Sequence, residues 1–204
     1  MIKLLRPELC TELIQYYKEH EHMINVGNGS DYYGIRFLTI HTQWVRDLIF
    51  QVIYDLVGRI RVINDQLVYP EMIAINKWPK GGFQDPHLDT YSNQEVHHGT
   101  TSEHVSREWT CILYLNDNYR GGRTYVPDTQ VYEPKTGHGL LFQGVNIPHG
   151  VQKVRRNDRY TISFWFSSDP NKQMIQSPIR HNPEEDINED SVRLIPDLAY
   201  RNTN

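Results

Sequence analysis

The order of apolar and polar positions divides the chain into a first stretch of helical period and a longer stretch of strand period. Leu9, Leu13, Ile14 and Tyr17 recur at helical spacing behind Pro7. Proline suits the first turn of a helix, where its missing N–H would have no partner anyway. Residues 21–36 include Gly27, Asn28, Gly29, Ser30 and Asp31 and read as a loop. A longer helix follows. Trp44, Leu48, Ile49, Val52, Ile53, Leu56 and Val57 fall on one face, with Arg46, Asp47, Gln51 and Asp55 on the other. Such a stripe packs against a sheet.

From Glu71 onward, short β-branched and aromatic runs alternate with turns. The predicted strands are 72–78, 109–116, 130–133, 139–143, 151–154 and 159–167, and Gly81-Gly82, Asp117-Asn118 and Gly121-Gly122 mark turns. Many short strands behind a helical layer predict a mainly β fold with N-terminal helices, a double-sheet jelly roll in one domain. The expected division is a support layer over 1–70, a jelly-roll core over 71–169 and a charged C-terminal tail over 170–204 that either docks or moves. The polar segment 91–108 is a binding loop or lid, and carries His97, His98 and His104.

Composition narrows the function. A net charge of -4 and a pI near 6.2 argue against nucleic acid and an anionic membrane surface as partners. Cys10 and Cys111 form neither a CxxC nor a disulfide framework, which fits a reducing compartment. The first residues turn polar too early for a signal peptide, and no apolar run reaches membrane-spanning length. The expectation is a soluble, cytoplasmic protein.

The chemistry is concentrated in His87-Leu88-Asp89 and His149. Residues two apart on a strand share a face, and a distant histidine completes a 2-His-1-carboxylate facial triad, which holds Fe(II) and leaves positions open. A chain with 10 His and 25 Asp+Glu holds about one His-x-acid by chance, so its surroundings carry the weight. One is the run Arg159–Ser167. Its alternation sets Tyr160, Ile162, Phe164 and Phe166 against Arg159, Thr161, Ser163 and Trp165. An arginine facing inward needs a partner. Either a ligand carboxylate or a rim ion pair could supply it, and Ser163 could donate a further hydrogen bond.

The stretch 75–167 resembles the prolyl 4-hydroxylases and related Fe(II)/2-oxoglutarate dioxygenases. The collinear pieces are Trp78-x-x-Gly81, Pro86-His87-Leu88-Asp89, Cys111 through Asn116, Gly121-Gly122 with Tyr125-Val126-Pro127, Pro134-Lys135-x-Gly137, Gly139 through Phe142, Pro148-His149-Gly150-Val151, and Arg159 ahead of Trp165. The resemblance implies a double-stranded β-helix of the Fe(II)/2-oxoglutarate oxygenase type. It implies Fe(II) on His87, Asp89 and His149, and 2-oxoglutarate held by Arg159, Tyr114, Ser163 and Thr161. Trp78, Trp165, Tyr32 and Arg36 are expected to line the substrate pocket. Trp78 stands where many prolyl hydroxylases carry tyrosine. The implied activity is hydroxylation of a prolyl residue in a peptide or protein with O₂, of the procollagen-proline 4-dioxygenase type, releasing succinate and CO₂, with L-ascorbate as reductant. The alternatives are the same chemistry on another side chain or a small metabolite, and a jelly-roll binding protein without catalysis. Loop histidines 97, 98 and 104 are read as solvated, His138 as structural, and His20, His22 and His41 as surface.

Overall fold

The computed structural model describes residues 1–27, 31–90 and 105–174. In chain order the elements are β1 (Ile2–Lys3), α1 (Pro7–Glu19), β2 (Val26–Gly27), β3 (Tyr33–Arg36), α2 (Gln43–Asn64), β4 (Tyr69–Trp78), β5 (Gln84–His87), β6 (Arg107–Tyr114), β7 (Arg120–Gly121), β8 (Thr124–Val126), β9 (Gln130–Tyr132), β10 (His138–Phe142), β11 (His149–Val151), β12 (Val154–Arg156) and β13 (Arg159–Ser167). Short 3₁₀ turns occupy Glu21–Met23, Phe37–Thr39 and Pro170–Lys172.

The strands form a large sheet of order β1-β10-β6-β13-β4-β3-β2, a smaller sheet β5-β11-β8-β9, and a two-stranded ribbon of β12 and β7. All the pairings are antiparallel. Strand β13 lies at the centre, with β4 on one side and β6 on the other. Its alternation is as expected. Tyr160, Ile162, Phe164 and Phe166 join Ile73, Ile75, Cys111 and Leu113 in one apolar cluster with residues of both helices. The opposite face carries Arg159, Thr161 and Ser163, buried without belonging to that cluster.

Both helices lie on the apolar face. α1 has Pro7 at its start and buries Cys10, Leu13, Tyr16 and Tyr17. α2 buries Val45, Leu48, Ile49, Val52, Ile53, Leu56 and Ile60, then ends where Asp65 turns left-handed at φ 46°. The buried stripe is shifted from the expected one. Trp44 is exposed and packs edge-on against Tyr16, with Val45 inward in its place, and Val57 is half-buried.

Three other expectations change. Residues 21–36 are not simply a loop, because Tyr33–Arg36 pairs with β4 and extends the large sheet. Position 151–154 is not one strand: β11 ends at Val151 and β12 starts at Val154 in a separate ribbon. His87 and Asp89 do not share a strand face, since β5 ends at His87. Cys10 and Cys111 are buried free thiols, and burial pushes Cys10 up to about 12. No helix among the described residues is long and apolar enough to cross a membrane. His97, His98, His104, most of the 91–108 loop and the tail beyond Met174 lie outside the described residues.

Candidate active site

Strands β5 and β11 are neighbours, and His87 and His149 are direct partners across them. Their rings lie 4.5 Å apart. Phe142 packs edge-on against His149 at 4.6 Å and fixes its tilt. Asp89 arrives by another route. Beyond the end of β5 its backbone N–H donates to the Gly144 carbonyl at 3.1 Å, and its Oδ2 accepts from the Thr110 hydroxyl. A Cβ at position 144 would sit 2.3 Å from Asp89 Oδ2 and 2.4 Å from Thr110 Oγ1, so only glycine admits this approach.

The three side chains converge. His87 Nε2 lies 3.7 Å from Asp89 Oδ1, and His149 Nε2 lies 3.6 Å from Asp89 Oδ2. One ligand atom from each residue falls within 4.8 Å of the others. Each Nδ1 is 3.0 Å from a backbone carbonyl, Asp85 for His87 and Ile147 for His149. A carbonyl only accepts, so Nδ1 carries the hydrogen and Nε2 turns a lone pair towards the carboxylate. Lone pairs facing one another at this separation call for a cation between them. The donor set, two imidazoles and a carboxylate on one side of an open space, fits a divalent transition metal.

Protons on the imidazoles can take the place of such a cation. Burial opposes ionisation of Asp89, but a hydrogen bond from protonated His87, the charge of protonated His149 and the Thr110 hydroxyl together lower its pKa to about 2. His87 is raised: burial works against its charge, and the neighbouring Asp89 outweighs that. His149 is lowered by burial, which Asp89 offsets only in part.

Behind the triad is a cavity of about 50 Å³, reaching the inward face of β13. Arg159, at its inner end, is 1% exposed. One guanidinium nitrogen approaches Thr124 Oγ1 at 3.4 Å, while Nε and the other terminal nitrogen have no hydrogen-bond partner. Among the described residues no carboxylate pairs with it. Its charge rests instead against the ring faces of Trp78 at 5.0 Å and Tyr114 at 5.7 Å. Thr161 Oγ1, Asn76 Oδ1, Trp78 Nε1 and Trp165 Nε1 are likewise buried without partners, and all four residues line the cavity. The Ser163 hydroxyl accepts from Asn76 Nδ2 at 3.0 Å. Tyr114 is set further back and donates to Thr124 Oγ1 at 2.8 Å.

Outside the triad the cavity widens into a mouth of about 530 Å³. Tyr32, Arg36 and Trp165 line it, as expected. Trp78 sits deeper, stacked under the Tyr32 ring at 4.7 Å. The buried ion pair Arg107–Glu71, 2.9 Å long, forms another wall, with the Arg107 guanidinium 5.0 Å above Trp165.

The expected residues therefore gather at one place, with Tyr114 behind Arg159 rather than on the cavity wall. Sequence reasoning passed over Asn76, Thr110, Arg107, Thr124 and Gly144. Two of them carried a signal. Thr110 shares a strand face with Tyr114, and Asn76 shares one with Trp78, so each is a polar residue at an inward position.

This geometry has counterparts among known proteins. Residues 73–167 match the 2OG-Fe(II) oxygenase superfamily, a span containing all three triad residues and Arg159. The match covers a little under half of the chain, which is therefore similar to the 2OG-Fe(II) oxygenases over the part that carries the site. Among particular relatives, it is 37% identical over 71 residues to prolyl 3-hydroxylase 1 of Rattus norvegicus. That match takes in 31% of this chain and 10% of the relative, so the chain spans about a tenth of the length of such relatives. Solved structures share the jelly-roll fold. A prolyl-4-hydroxylase of Pseudomonas putida aligns at TM-score 0.62 and 18% identity, over 82% of this chain and 90% of that one. A prolyl hydroxylase from Trichoplax adhaerens, solved with a hypoxia inducible factor peptide fragment, aligns at TM-score 0.58 and 17% identity, over 87% and 86%.

Proposed function

We propose that this protein hydroxylates a prolyl residue in a peptide or protein, consuming O₂ and 2-oxoglutarate and releasing succinate and CO₂. The observation that carries the reading is a single cavity with the His87–Asp89–His149 cluster at one end and a buried Arg159, lacking any carboxylate partner among the described residues, at the other. His87 Nε2, Asp89 and His149 Nε2 would hold Fe(II). Bound there, the metal supplies O₂ activation coupled to oxidative decarboxylation of 2-oxoglutarate.

The chain's own groups do the positioning. Arg159 has free N–H groups in fork geometry and would take the far carboxylate of 2-oxoglutarate. Thr124 Oγ1 already accepts from Tyr114 and Arg159, which leaves its own hydrogen to donate to the same carboxylate. Thr161 and Ser163, on Arg159's strand face, add hydroxyls along the cavity. Tyr114 acts through Thr124 and the guanidinium. Trp78 offers Arg159 a ring face where a tyrosine would offer a hydroxyl. Trp165, Tyr32 and Arg36 frame the approach to the metal cluster, and the stacked Tyr32–Trp78 pair excludes water from one wall.

A peptide substrate accords with the width of this mouth and with the peptide complex of the Trichoplax relative. We assign catalysis to residues 71–169, with 1–70 as a support layer sharing its core and 170–204 as a tail. L-Ascorbate is the proposed reductant and the cytoplasm the proposed compartment. The test is turnover with Fe(II), 2-oxoglutarate, ascorbate and a library of proline-containing peptides. Succinate and a 16 Da gain (one oxygen) on proline are expected, with amino-acid analysis separating 3- from 4-hydroxyproline. Succinate formed equally with and without every prolyl peptide would overturn the substrate assignment.

A further inference from the structure

We propose that a basic groove on the outer side of the small sheet docks an acidic stretch of the polypeptide substrate, at a distance from the hydroxylated residue. This rests on the peptide-substrate reading above. The groove encloses about 1300 Å³ between the β7–β12 ribbon, Tyr125 of β8 and the Glu133-Pro134 segment that follows β9. Arg120, Arg123, Lys153, Arg155 and Arg156 line it and are exposed, while Asp117 and Glu133 are its only acidic lining residues among those described. Arg123 is held by Glu133 at 3.0 Å. The other four cations have no ion pair among the described residues.

The ribbon is built so that its cations crowd together. Arg120 and Arg156 are direct cross-strand partners, and like charges in that position cost stability. Gly121 permits the approach. It sits at φ 67°, and a Cβ there would lie 2.1 Å from the Lys153 carbonyl oxygen. A ribbon that faces arginine with arginine is relieved when an anion binds between them.

The occupant is a polypeptide rather than a nucleic acid. Asp117 and Glu133 interrupt the positive field and would repel a continuous phosphate backbone. Phe83, 41% exposed, with Tyr125 and Pro134, gives apolar contacts between the cations that suit amino-acid side chains. The groove also adjoins the active-site mouth. Phe83 lines the groove, and the next residue, Gln84, lines both the mouth and the inner cavity. Gln84 opens β5, the edge strand of the small sheet. A polypeptide with one residue at the mouth has only this edge to cross.

The test compares two fluorescent proline-containing peptides of equal length, one with a flanking run of Asp and Glu and the other with Asn and Gln in the same places. Anisotropy with the whole 204-residue chain should show the acidic peptide binding about tenfold more tightly. That advantage should shrink as salt rises. It should disappear in R155E/R156E and weaken in R155Q/R156Q. Succinate production on a short neutral peptide should stay unchanged in both variants, which shows the active site intact. Equal affinity for the two peptides, or an advantage that survives R155E/R156E, would overturn the proposal. So would a single-stranded oligonucleotide that binds the groove more tightly than the acidic peptide. If no prolyl peptide is turned over but the acidic peptide still binds in an Arg155- and Arg156-dependent way, the substrate reading fails and the docking groove stands.

Discussion

Replacing Arg159 by methionine should produce two opposite effects, and the pair distinguishes a ligand anchor from a structural cation. The guanidinium is buried, with one 3.4 Å contact to Thr124 and two ring faces at 5.0 and 5.7 Å. Each ring contributes about 0.5–2 kcal/mol, against a desolvation cost of several kcal/mol for an ion without a counter-charge. Methionine fills similar space without the charge. The ligand-free variant should therefore match the parent or exceed it by about 1–3 kcal/mol, a rise of roughly 2–4 °C in Tm per kcal/mol. Towards 2-oxoglutarate the sign reverses. Losing one partner of a buried, hydrogen-bonded ion pair costs about 3–5 kcal/mol, or roughly 10²–10³-fold or more in affinity. The parent should gain about 2.7 kcal/mol of stability at a 2-oxoglutarate concentration near 100 Kd, and the variant should gain almost nothing at that concentration. The assay is a set of melting curves with Mn(II), with and without 2-oxoglutarate, beside a metal titration that should show metal binding retained. Arg159→Lys should fall between, with a raised 2-oxoglutarate KM. A ligand-free Arg159→Met protein that melts several degrees lower and still responds to 2-oxoglutarate would refute the reasoning.

Removing a member of the triad should act on the metal first: His149→Ala should lose metal binding and turnover while keeping its fold, and Mn(II) titration checks this, since unchanged affinity would take His149 out of the site. Metal affinity should also fall with pH. His87 titrates above its ordinary value beside Asp89 and His149 below it, so protons compete at His87 first, and affinity should drop by about tenfold per unit once pH lies below the His87 pKa. Titrations across roughly pH 5.5–8 would show it, and a flat profile would contradict the assignment. Gly144→Ala places a methyl 2.3 Å from Asp89 Oδ2, and should weaken metal binding by at least about tenfold while Arg159 and its ring contacts stay in place, as metal titration against far-UV circular dichroism can test.

What could be read before the structure depended on whether a segment is long enough to show its period. Arg159–Ser167 has nine residues with one apolar and one polar face, so its alternation was visible. Strands of two to four residues, such as β5, β7 and β8, show no period, and Pro86 within β5 hides it further. The glycine-rich composition of 21–36 concealed β3, although its Ile35 is fully buried. On α2, Trp44 and Val45 differ by one step around the helix, and size favoured the wrong one. The triad itself was found by a route the structure does not use. His87 and Asp89 were grouped as a strand pair, yet the strand stops at His87. The turn that follows and the contact with Gly144 bring the carboxylate round to the same place. Gly144 carried no local signal, because its role arises only where two distant segments meet.

Strand β13 accounts for how the domain tolerates so many unsatisfied polar groups. Its outward residues Tyr160, Ile162, Phe164 and Phe166 belong to the largest apolar cluster, shared with both helices, and that packing does not involve the other face. The inward residues Arg159, Thr161 and Trp165 each leave a buried polar atom without a partner, as do Asn76 and Trp78 on the adjoining strand. Buried orphans of this kind are uncommon in folded proteins and costly singly. Five residues with such atoms around one cavity, with a cation among them and an acid–imidazole cluster at the far end, are better understood as sites awaiting ligand atoms than as independent defects. The consequence can be measured. Conservative changes on the outward face, such as Ile162→Val, should lower stability by about 0.5–1.5 kcal/mol and leave 2-oxoglutarate affinity alone. Thr161→Val on the inward face should do the reverse, because it removes an unsatisfied hydroxyl from the ligand-free protein and a donor from the bound one. Denaturant melts beside 2-oxoglutarate titrations of the two variants decide it, and a Thr161→Val protein that loses stability but keeps its affinity would make Thr161 a packing residue.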